Sequence, residues 1–145
     1  MPNLIQNRKA HFDYEFLEKI ESGIELHGFE VKALRESKGR LDGAYVVTRG
    51  GESFIVNFHI SPYQPGNTPK GYDPDRVKKL LLTKKEIAHI AGFEKRKGLT
   101  IVPISVYTKK SKIKIELAIA KGKKKFDKRE TLKKRDAERD IRRGI

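Results

Sequence analysis

The clearest hydrophobic pattern of the chain is an alternation towards its C-terminal end. Every second position from Ile113 to Ile119 is apolar, and a period of two is typical of a β-strand with one buried face. We therefore predict a strand over Lys112 to Lys121 with a polar outer face. A turn at Lys109-Lys110-Ser111 joins it to a second predicted strand, Leu99 to Tyr107, so that the two form a hairpin.

A second hairpin is predicted in the middle of the chain. Ala44 to Thr48 suits one strand, and Arg49-Gly50-Gly51-Glu52 suits a turn because glycine adopts the conformations that tight turns need. The strand that follows would bury one face of alternating apolar side chains. These side chains are Phe54, Val56, Phe58 and Ile60.

The first predicted element of the chain is a short helix from Asp13 to Gly23. Asp13 can cap its N-terminus, and Phe12 can pack against Leu17 as a hydrophobic staple. After this helix, Ile24 to His27 alternates like the edge of a strand. The apolar stripe of the helix would consist of Phe16, Leu17 and Ile20.

Two further helices are predicted. Gly28 to Arg35 is interpreted as a helix that stops near Gly39. Thr83-Lys84-Lys85-Glu86 has the form of a capping box, in which the side chains of the first and fourth residues cap a helix N-terminus. The helix that it opens should end by Gly98.

The segment from Ser61 to Asp75 is predicted to be an irregular loop. It contains four of the six prolines and no hydrophobic periodicity. Loops of this length inside a compact domain often carry function. A tolerated insertion is the alternative.

The predicted elements indicate an α+β, mainly β protein. Five or six short strands in antiparallel pairs, with helices between them, favour a small barrel or a half-open sheet with helices packed on its ends. Small barrels of this kind often bind RNA on an exposed face. This association between small barrels and RNA is an analogy between folds.

Positive charge dominates the composition. The formal net charge is +14, and the final segment, Lys121 to Ile145, carries twelve Lys or Arg against five Asp or Glu. A charge of this sign attracts phosphate, which makes nucleic acid the leading partner. A membrane is disfavoured as a partner because this segment lacks the apolar stripe of an interfacial helix and no apolar run approaches spanning length.

The sequence contains no recognisable catalytic or metal-binding constellation. It has no cysteine, which excludes disulfides, cysteine-based zinc sites and a thiol nucleophile. The histidines lack the spacing of metal ligands, and the N-terminal residues lack the apolar core of a signal peptide. We therefore expect a cytoplasmic protein with no cofactor, no metal and no small-molecule substrate. The histidines are His11, His27, His59 and His89.

Basic residues form clusters along the chain, and aromatic side chains lie near several of them. An aromatic ring beside Lys or Arg can stack on a base while the cation holds phosphate. The rings are Tyr63, Tyr72, Tyr107 and Phe126, and a place in the core is an equal alternative for the three tyrosines. The clusters are Asn7-Arg8-Lys9, Arg76 with Lys78-Lys79, Lys84-Lys85, Lys95-Arg96-Lys97, Lys109-Lys110 and Lys121 to Lys125.

The C-terminal segment holds too little apolar surface to fold alone. Opposite charges at helical spacing, such as Glu130 and Lys134, stabilise an isolated helix by only about 0.2–0.5 kcal/mol per pair. We therefore predict two units. Residues 1–122 form an RNA-binding domain, and residues 123–145 form a basic tail that is disordered when free and becomes helical on a polyanion.

Five blocks of the sequence resemble the SsrA-binding protein family, also called small protein B. The blocks occur in the order typical of the family and extend over essentially the whole chain. They are Gln6-Asn7-Arg8-Lys9-Ala10, then Gly28-Phe29-Glu30-Val31-Lys32-Ala33-Leu34-Arg35, then His59-Ile60-Ser61-Pro62-Tyr63 with Gly66-Asn67, then Asp73-Pro74-Asp75-Arg76 before Lys79-Leu80-Leu81-Leu82, and finally Ala120 to Glu130.

The resemblance implies an OB-like antiparallel β-barrel with about three peripheral helices. It also implies a bacterial cytoplasmic RNA-binding adaptor that is not an enzyme. Such proteins bind the tRNA-like domain of tmRNA and bring it to 70S ribosomes stalled on messages without a stop codon, where trans-translation starts. The C-terminal tail of such a protein enters the decoding centre and the empty mRNA channel, in contact with small-subunit rRNA.

The resemblance also implies which residues contact RNA. Glu30 can accept hydrogen bonds from bases, and an ion pair with Lys32 or Arg35 is the alternative. Phe126 stands where the family usually has Tyr or His, so it keeps a stacking ring and lacks the polar atom. The implied RNA-binding residues are Asn7, Arg8, Lys9, Glu30, Lys32, Arg35, Lys121, Lys123, Lys124 and Lys125. The implied contacts in the decoding centre and channel are Phe126, Asp127, Lys128, Arg129, Lys133, Lys134 and Arg135.

Two other functions compete with this one. A ribosomal or rRNA-associated OB-fold protein would have a similar composition and fold. An RNA-processing enzyme would need acid, base or metal-binding groups that converge in one pocket, and the sequence offers no such cluster.

Overall fold

The computed structural model describes residues 3–64, 66 and 68–123. In this part of the chain, strands outnumber helices and account for most of the regular structure. In chain order the elements are β1 (Asn3–Gln6), α1 (Arg8–Asp13), β2 (Tyr14–Ile24), α2 (Gly28–Arg35), β3 (Gly39–Arg40), β4 (Tyr45–Arg49), β5 (Glu52–Val56), β6 (His59–Ile60), β7 (Lys78–Leu81), α3 (Lys84–Glu94), β8 (Leu99–Lys109) and β9 (Lys112–Gly122).

One antiparallel sheet of seven strands organises the described part of the chain. Its order is β1-β8-β9-β2-β7-β5-β4, and a separate pair is formed by β3 and β6. For the described residues, the mainly β class with three helices is confirmed. The sheet has two open edges, β1 and β4, so the closed barrel is not confirmed, although the sheet curves enough to bring β4 close to β8.

Both predicted hairpins and two of the predicted helices are confirmed. In β9, Ile113, Ile115, Leu117 and Ile119 are all buried as the alternation requires. The hydroxyl of Thr83 accepts from the Glu86 amide at 3.2 Å and the Glu86 carboxylate accepts from the Thr83 amide at 2.9 Å, which is the reciprocal pattern of a capping box. These elements depend on short-range signals.

The prediction of a helix from Asp13 to Gly23 is wrong. Helix α1 ends at Asp13, and its N-terminal cap is Asn7, whose side-chain oxygen accepts from the Ala10 amide at 3.1 Å. Residues Tyr14–Ile24 form β2, which pairs with β9. The register shifts between Phe16 and Glu18, so an extra residue interrupts the alternation and gives the apolar positions a helix-like spacing.

The predicted inward face of the middle hairpin is also wrong in part. Phe58 and Ile60 are fully buried, but within β5 the buried residues are Ser53 and Ile55 rather than Phe54 and Val56. Asn57 has φ +65°, and this left-handed residue shifts the alternation by one position between β5 and β6.

Strand β7 was not predicted, because its inward positions are occupied by Lys78 and Leu80. A lysine on the buried face hides the alternation that identifies a strand. The described residues between Ser61 and Asp75 contain no strand or α-helix, as predicted. None of the helices within the described ranges has the length and apolar content that a membrane span requires.

Both faces are buried over Ile101 to Tyr107 of β8 and over Leu117 to Ala120 of β9. One face belongs to the main core, which also contains Leu34 of α2 and Ile90 of α3. On the other face, Ala118 and Ala120 pack with Ala10 of α1 in a smaller cluster. Small side chains there let helix α1 approach the sheet closely.

Candidate nucleic-acid interface

A buried carboxylate lies at the N-terminal end of α2. Glu30 is the third residue of this helix, and its side chain is fully buried. Its Oε1 atom accepts from the backbone amide of His27 at 2.8 Å. This bond caps the helix and fixes the carboxylate in one orientation.

Glu30 binds two side chains from the end of the Ser61–Asp75 loop and the residue that follows it. Arg76 donates from Nε to Oε2 at 3.0 Å and from Nη2 to Oε1, so the two groups form a bidentate ion pair. The Tyr72 hydroxyl donates to the same Oε2 at 2.9 Å. The ion pair with Lys32 or Arg35 that the sequence suggested is therefore wrong.

The pKa values of this cluster follow from burial and hydrogen bonding. Burial alone would raise the pKa of Glu30, but the hydrogen bonds from Arg76, His27 and Tyr72 outweigh it and lower the pKa below its ordinary value. Burial and the hydrogen bond to Glu30 raise the pKa of Tyr72. Glu30 is therefore ionised and Tyr72 is protonated at neutral pH.

Lys78 lies inside the fold beside this cluster. Its ammonium group donates to the backbone carbonyls of Phe58 at 2.5 Å, Arg76 at 2.9 Å and Pro74 at 3.3 Å. Burial lowers the pKa of Lys78 to about 8. Lys78 therefore does not belong to a basic cluster at the surface with Arg76 and Lys79, as its sequence position suggested. Its buried ammonium group instead links the residue before β6 to the end of the Ser61–Asp75 loop.

A group of aromatic rings covers the outer side of the same region. The ring of Phe29 is stacked on His27 at a centroid distance of 5.3 Å and meets Tyr72 edge-on at 4.8 Å. Lys32 and Arg35 are exposed on the same helix. The structure thus brings together aromatic rings, the exposed cations of α2 and the buried Glu30 carboxylate, which holds Arg76 in place.

A second polar cluster lies on the outer face of β2, β8 and β9. The Glu21 carboxylate accepts from the Tyr107 hydroxyl and from the Lys109 ammonium group at 3.2 Å. These two hydrogen bonds lower the pKa of Glu21, and burial and Glu21 together raise the pKa of Tyr107. Glu116 lies directly opposite Glu21. Glu21 was not predicted as a site residue, because the helix predicted from Asp13 to Gly23 hides its pairing with β9.

The other predicted RNA-binding residues within the described ranges lie at the start of α1 and at the end of β9. Asn7 is buried, and its side-chain amide donates to the carbonyls of Pro103 at 2.8 Å and Leu41 at 3.3 Å. Arg8 and Lys9 are exposed, as is Lys121. The Lys123 ammonium group donates to the His11 carbonyl at 3.2 Å, which holds the end of β9 against α1.

Several predicted site residues lie outside the described residues, so their predicted contacts stay predictions. They are Lys124, Lys125, Phe126, Asp127, Lys128, Arg129, Lys133, Lys134 and Arg135. The predicted division into residues 1–122 and 123–145 also depends on this part of the chain. Strand β9 ends at Gly122.

The described residues include no group of three His, Asp or Glu side chains that could hold a metal ion. Two of the histidines instead pair with carboxylates, His59 with Asp75 at 2.9 Å and His89 with Glu18 at 2.6 Å.

The region around Glu30 and α2 is suited to holding phosphate and stacking on bases. Its side chains are cations, aromatic rings and a carboxylate that is already bound by an arginine.

Comparisons with known proteins identify relatives that match nearly the whole chain. A family model described as SmpB protein matches residues 4–145. The chain is 52% identical to the SsrA-binding protein of Caldicellulosiruptor saccharolyticus over 139 residues, which cover 96% of this chain and 87% of the relative. It is 47% identical to the SsrA-binding protein of Malacoplasma penetrans over 145 residues, which cover 100% of this chain and 99% of the relative.

The fold is also similar to that of a solved protein. A chain from the structure "tmRNA-SmpB: a journey to the center of the bacterial ribosome" superposes with a TM-score of 0.71 at 40% sequence identity, over 83% of this chain and 85% of that chain. Since the family model and these relatives cover nearly every residue of the sequence, the protein belongs to the SmpB family.

Proposed function

We propose that this protein binds the tRNA-like domain of tmRNA and delivers it to stalled ribosomes to start trans-translation. The observation that carries this proposal is its membership of the SmpB family over residues 4–145. Its relatives are named SsrA-binding proteins, and its fold resembles a chain from a tmRNA-SmpB structure. Its partners are accordingly tmRNA and the bacterial ribosome, including small-subunit rRNA.

The RNA-facing surface consists of exposed cations on a rigid frame. Arg8, Lys9, Lys32, Arg35 and Lys121 have exposed side chains, which suits contacts with phosphate. Such contacts position an RNA without reading its sequence.

Asn7 and Glu30 contribute to the same surface from the interior. Asn7 fixes the start of α1, which carries Arg8 and Lys9. Glu30 fixes Arg76 and Tyr72 beside the helix that carries Lys32 and Arg35. Both buried side chains therefore support RNA binding by holding neighbouring groups in place.

The sheet acts as an OB-like barrel in this proposal. Strand β4 lies close to β8, so side chains rather than a continuous hydrogen-bond ladder would close the barrel. OB-like barrels use curved sheets to bind nucleic acids. The adaptor acts in the cytoplasm by positioning RNA and has no catalytic step of its own.

In this proposal, the C-terminal tail binds the ribosome. Phe126 stacks on a base in the decoding centre, and the basic residues after it follow the empty mRNA channel. The tail residues assigned to these contacts are Phe126, Asp127, Lys128, Arg129, Lys133, Lys134 and Arg135.

A truncation after Lys125 tests whether the folded part binds tmRNA while the tail acts on the ribosome. We expect the truncated protein to bind the tRNA-like domain with nearly unchanged affinity and to lose the tagging of nascent chains on stalled ribosomes. A truncated protein that supports full tagging would contradict the role of the tail. Equal affinity of the full-length protein for the tRNA-like domain and for an unrelated structured RNA would contradict the proposed function itself.

A further inference from the structure

A small cleft lies between α2 and the start of the Ser61–Asp75 loop, beside the Glu30 cluster. It has a volume of about 290 Å³ and is lined by Gly28, Phe29, Lys32, Tyr63, Gln64 and Thr68. This volume is at the lower end of the range for ligand sites, so it suits one planar ring system rather than a larger molecule.

Two aromatic side chains from different elements form walls of this cleft. Phe29 is already stacked on His27 and held edge-on by Tyr72. Tyr63 packs against the main core, and the Lys38 ammonium group lies 5.6 Å from its ring centroid. Both rings are therefore held in place before any ligand arrives, which reduces the entropy lost on binding.

The charges around the cleft suit a ligand attached to phosphate. Lys32 lines the cleft, Arg35 lies one turn further along α2, and none of the six described residues that line the cleft is acidic. Lys38 also pairs with Glu36 at 3.4 Å, and both side chains are exposed. Within the described residues, Lys32 makes no ion pair that would compete with phosphate.

We propose that this cleft binds one unpaired nucleobase of the bound RNA, stacked on Phe29 with Tyr63 beside it, while Lys32 holds the adjacent phosphate. The inference deepens the proposed function, on which it rests. It assigns to Phe29 and Tyr63 a role in reading the shape of the RNA, because an unpaired base can enter the cleft and a base within a duplex cannot.

A double-mutant cycle tests the stacking contact. One partner is Phe29→Leu, which keeps apolar volume and removes the ring. The other is a set of tRNA-like-domain RNAs, each with a single abasic ribose at an unpaired position. Dissociation constants are measured by fluorescence anisotropy at one salt concentration, because phosphate contacts make the affinity depend on salt.

We expect Phe29→Leu to weaken binding of the intact RNA by about 5- to 150-fold, the range for loss of one stacked base. One abasic position should cause a similar loss in the wild type and little further loss in Phe29→Leu. Phe29→Tyr and Phe29→Trp should restore the affinity. Tyr63→Leu should show the same dependence on that abasic position.

Phe93→Leu is the matched control. Phe93 is a partly buried ring on α3 that lies 4.7 Å from the Arg96 guanidinium group, and its replacement should not change RNA affinity. If the loss of binding free energy from the substitution and the loss from the abasic site were additive at every position, for both Phe29→Leu and Tyr63→Leu, the inference would be overturned. The proposed function would remain intact. A wild-type protein without preference for the tRNA-like domain would overturn both.

Discussion

Replacing Glu30 with Gln tests whether the buried carboxylate holds the interface together. Glu30 accepts four hydrogen bonds, one from His27, one from Tyr72 and two from Arg76. The amide of Gln has one acceptor oxygen, and its NH₂ group would point a donor at the donors of Arg76. The substitution leaves the Arg76 guanidinium beside a neutral group in a partly buried site.

The expected loss of stability follows from the burial of the pair. Breaking a buried ion pair costs about 3–5 kcal/mol. The Arg76 side chain is 26% exposed, so water can hydrate part of the freed cation and the estimate falls to about 2–3 kcal/mol. Tyr72 also loses its acceptor on Glu30, but its single hydroxyl hydrogen can then be donated to the Ile60 carbonyl, which lies 3.0 Å away.

Urea unfolding followed by circular dichroism measures this loss at pH 7. Glu36→Gln is the matched control, since Glu36 lies at the other end of α2 and pairs with Lys38 at the surface. That change should alter stability by less than about 0.5 kcal/mol. The cost of Glu30→Gln should shrink as the pH falls below about 4.5, because the pKa of Glu30 is lowered in the folded state and its contribution is lost on protonation. A Glu30→Gln protein as stable as the wild type at pH 7 would refute the reasoning.

Three further predictions concern other buried or paired groups. The pKa of Lys78 is lowered to about 8, so between about pH 8 and pH 10.4 the folded protein binds fewer protons than the unfolded chain. Urea unfolding at pH 7 and at pH 10 should therefore show that the stability of the wild type, relative to that of Lys78→Met, is higher at pH 10. Asn7→Ala removes a helix cap and two buried hydrogen bonds and should lower the unfolding free energy by about 2–4 kcal/mol, measured by the same method. Tyr107→Phe removes the donor that lowers the pKa of Glu21, so the pKa of Glu21 should rise towards its ordinary value in a titration followed by NMR, and an unchanged pKa would show that the hydrogen bond does not form in solution.

The sequence predicted the elements whose signals are local. The capping box at Thr83 and Glu86 lies within one turn of helix, and the alternation from Ile113 to Ile119 lies within one strand. Each signal needs no knowledge of a distant partner.

Errors arose where distant contacts decide the structure. Strand β2 exists because it pairs with β9, and its bulge gives Phe16 and Ile20 a helical spacing. Lys78 looks like a surface residue in the sequence, but three backbone carbonyls receive its ammonium group inside the fold. No local pattern carries that information.

The candidate site shows the same division. The sequence identified Glu30, Lys32 and Arg35 through one block of the family resemblance. It could not identify Arg76 as the partner of Glu30, because the two residues are 46 positions apart. The cleft beside Phe29 likewise depends on the folded position of Tyr63, which the chain reaches only after the middle hairpin.

Sequencing the RNA that copurifies with the protein from a bacterial host tests whether the protein binds tmRNA in the cell. We expect one dominant tRNA-like species, tmRNA, together with ribosomes in an amount that rises when stalled messages accumulate. Copurification with every ribosome in a fixed ratio, without enrichment of tmRNA, would contradict the account and favour a ribosomal or rRNA-associated protein.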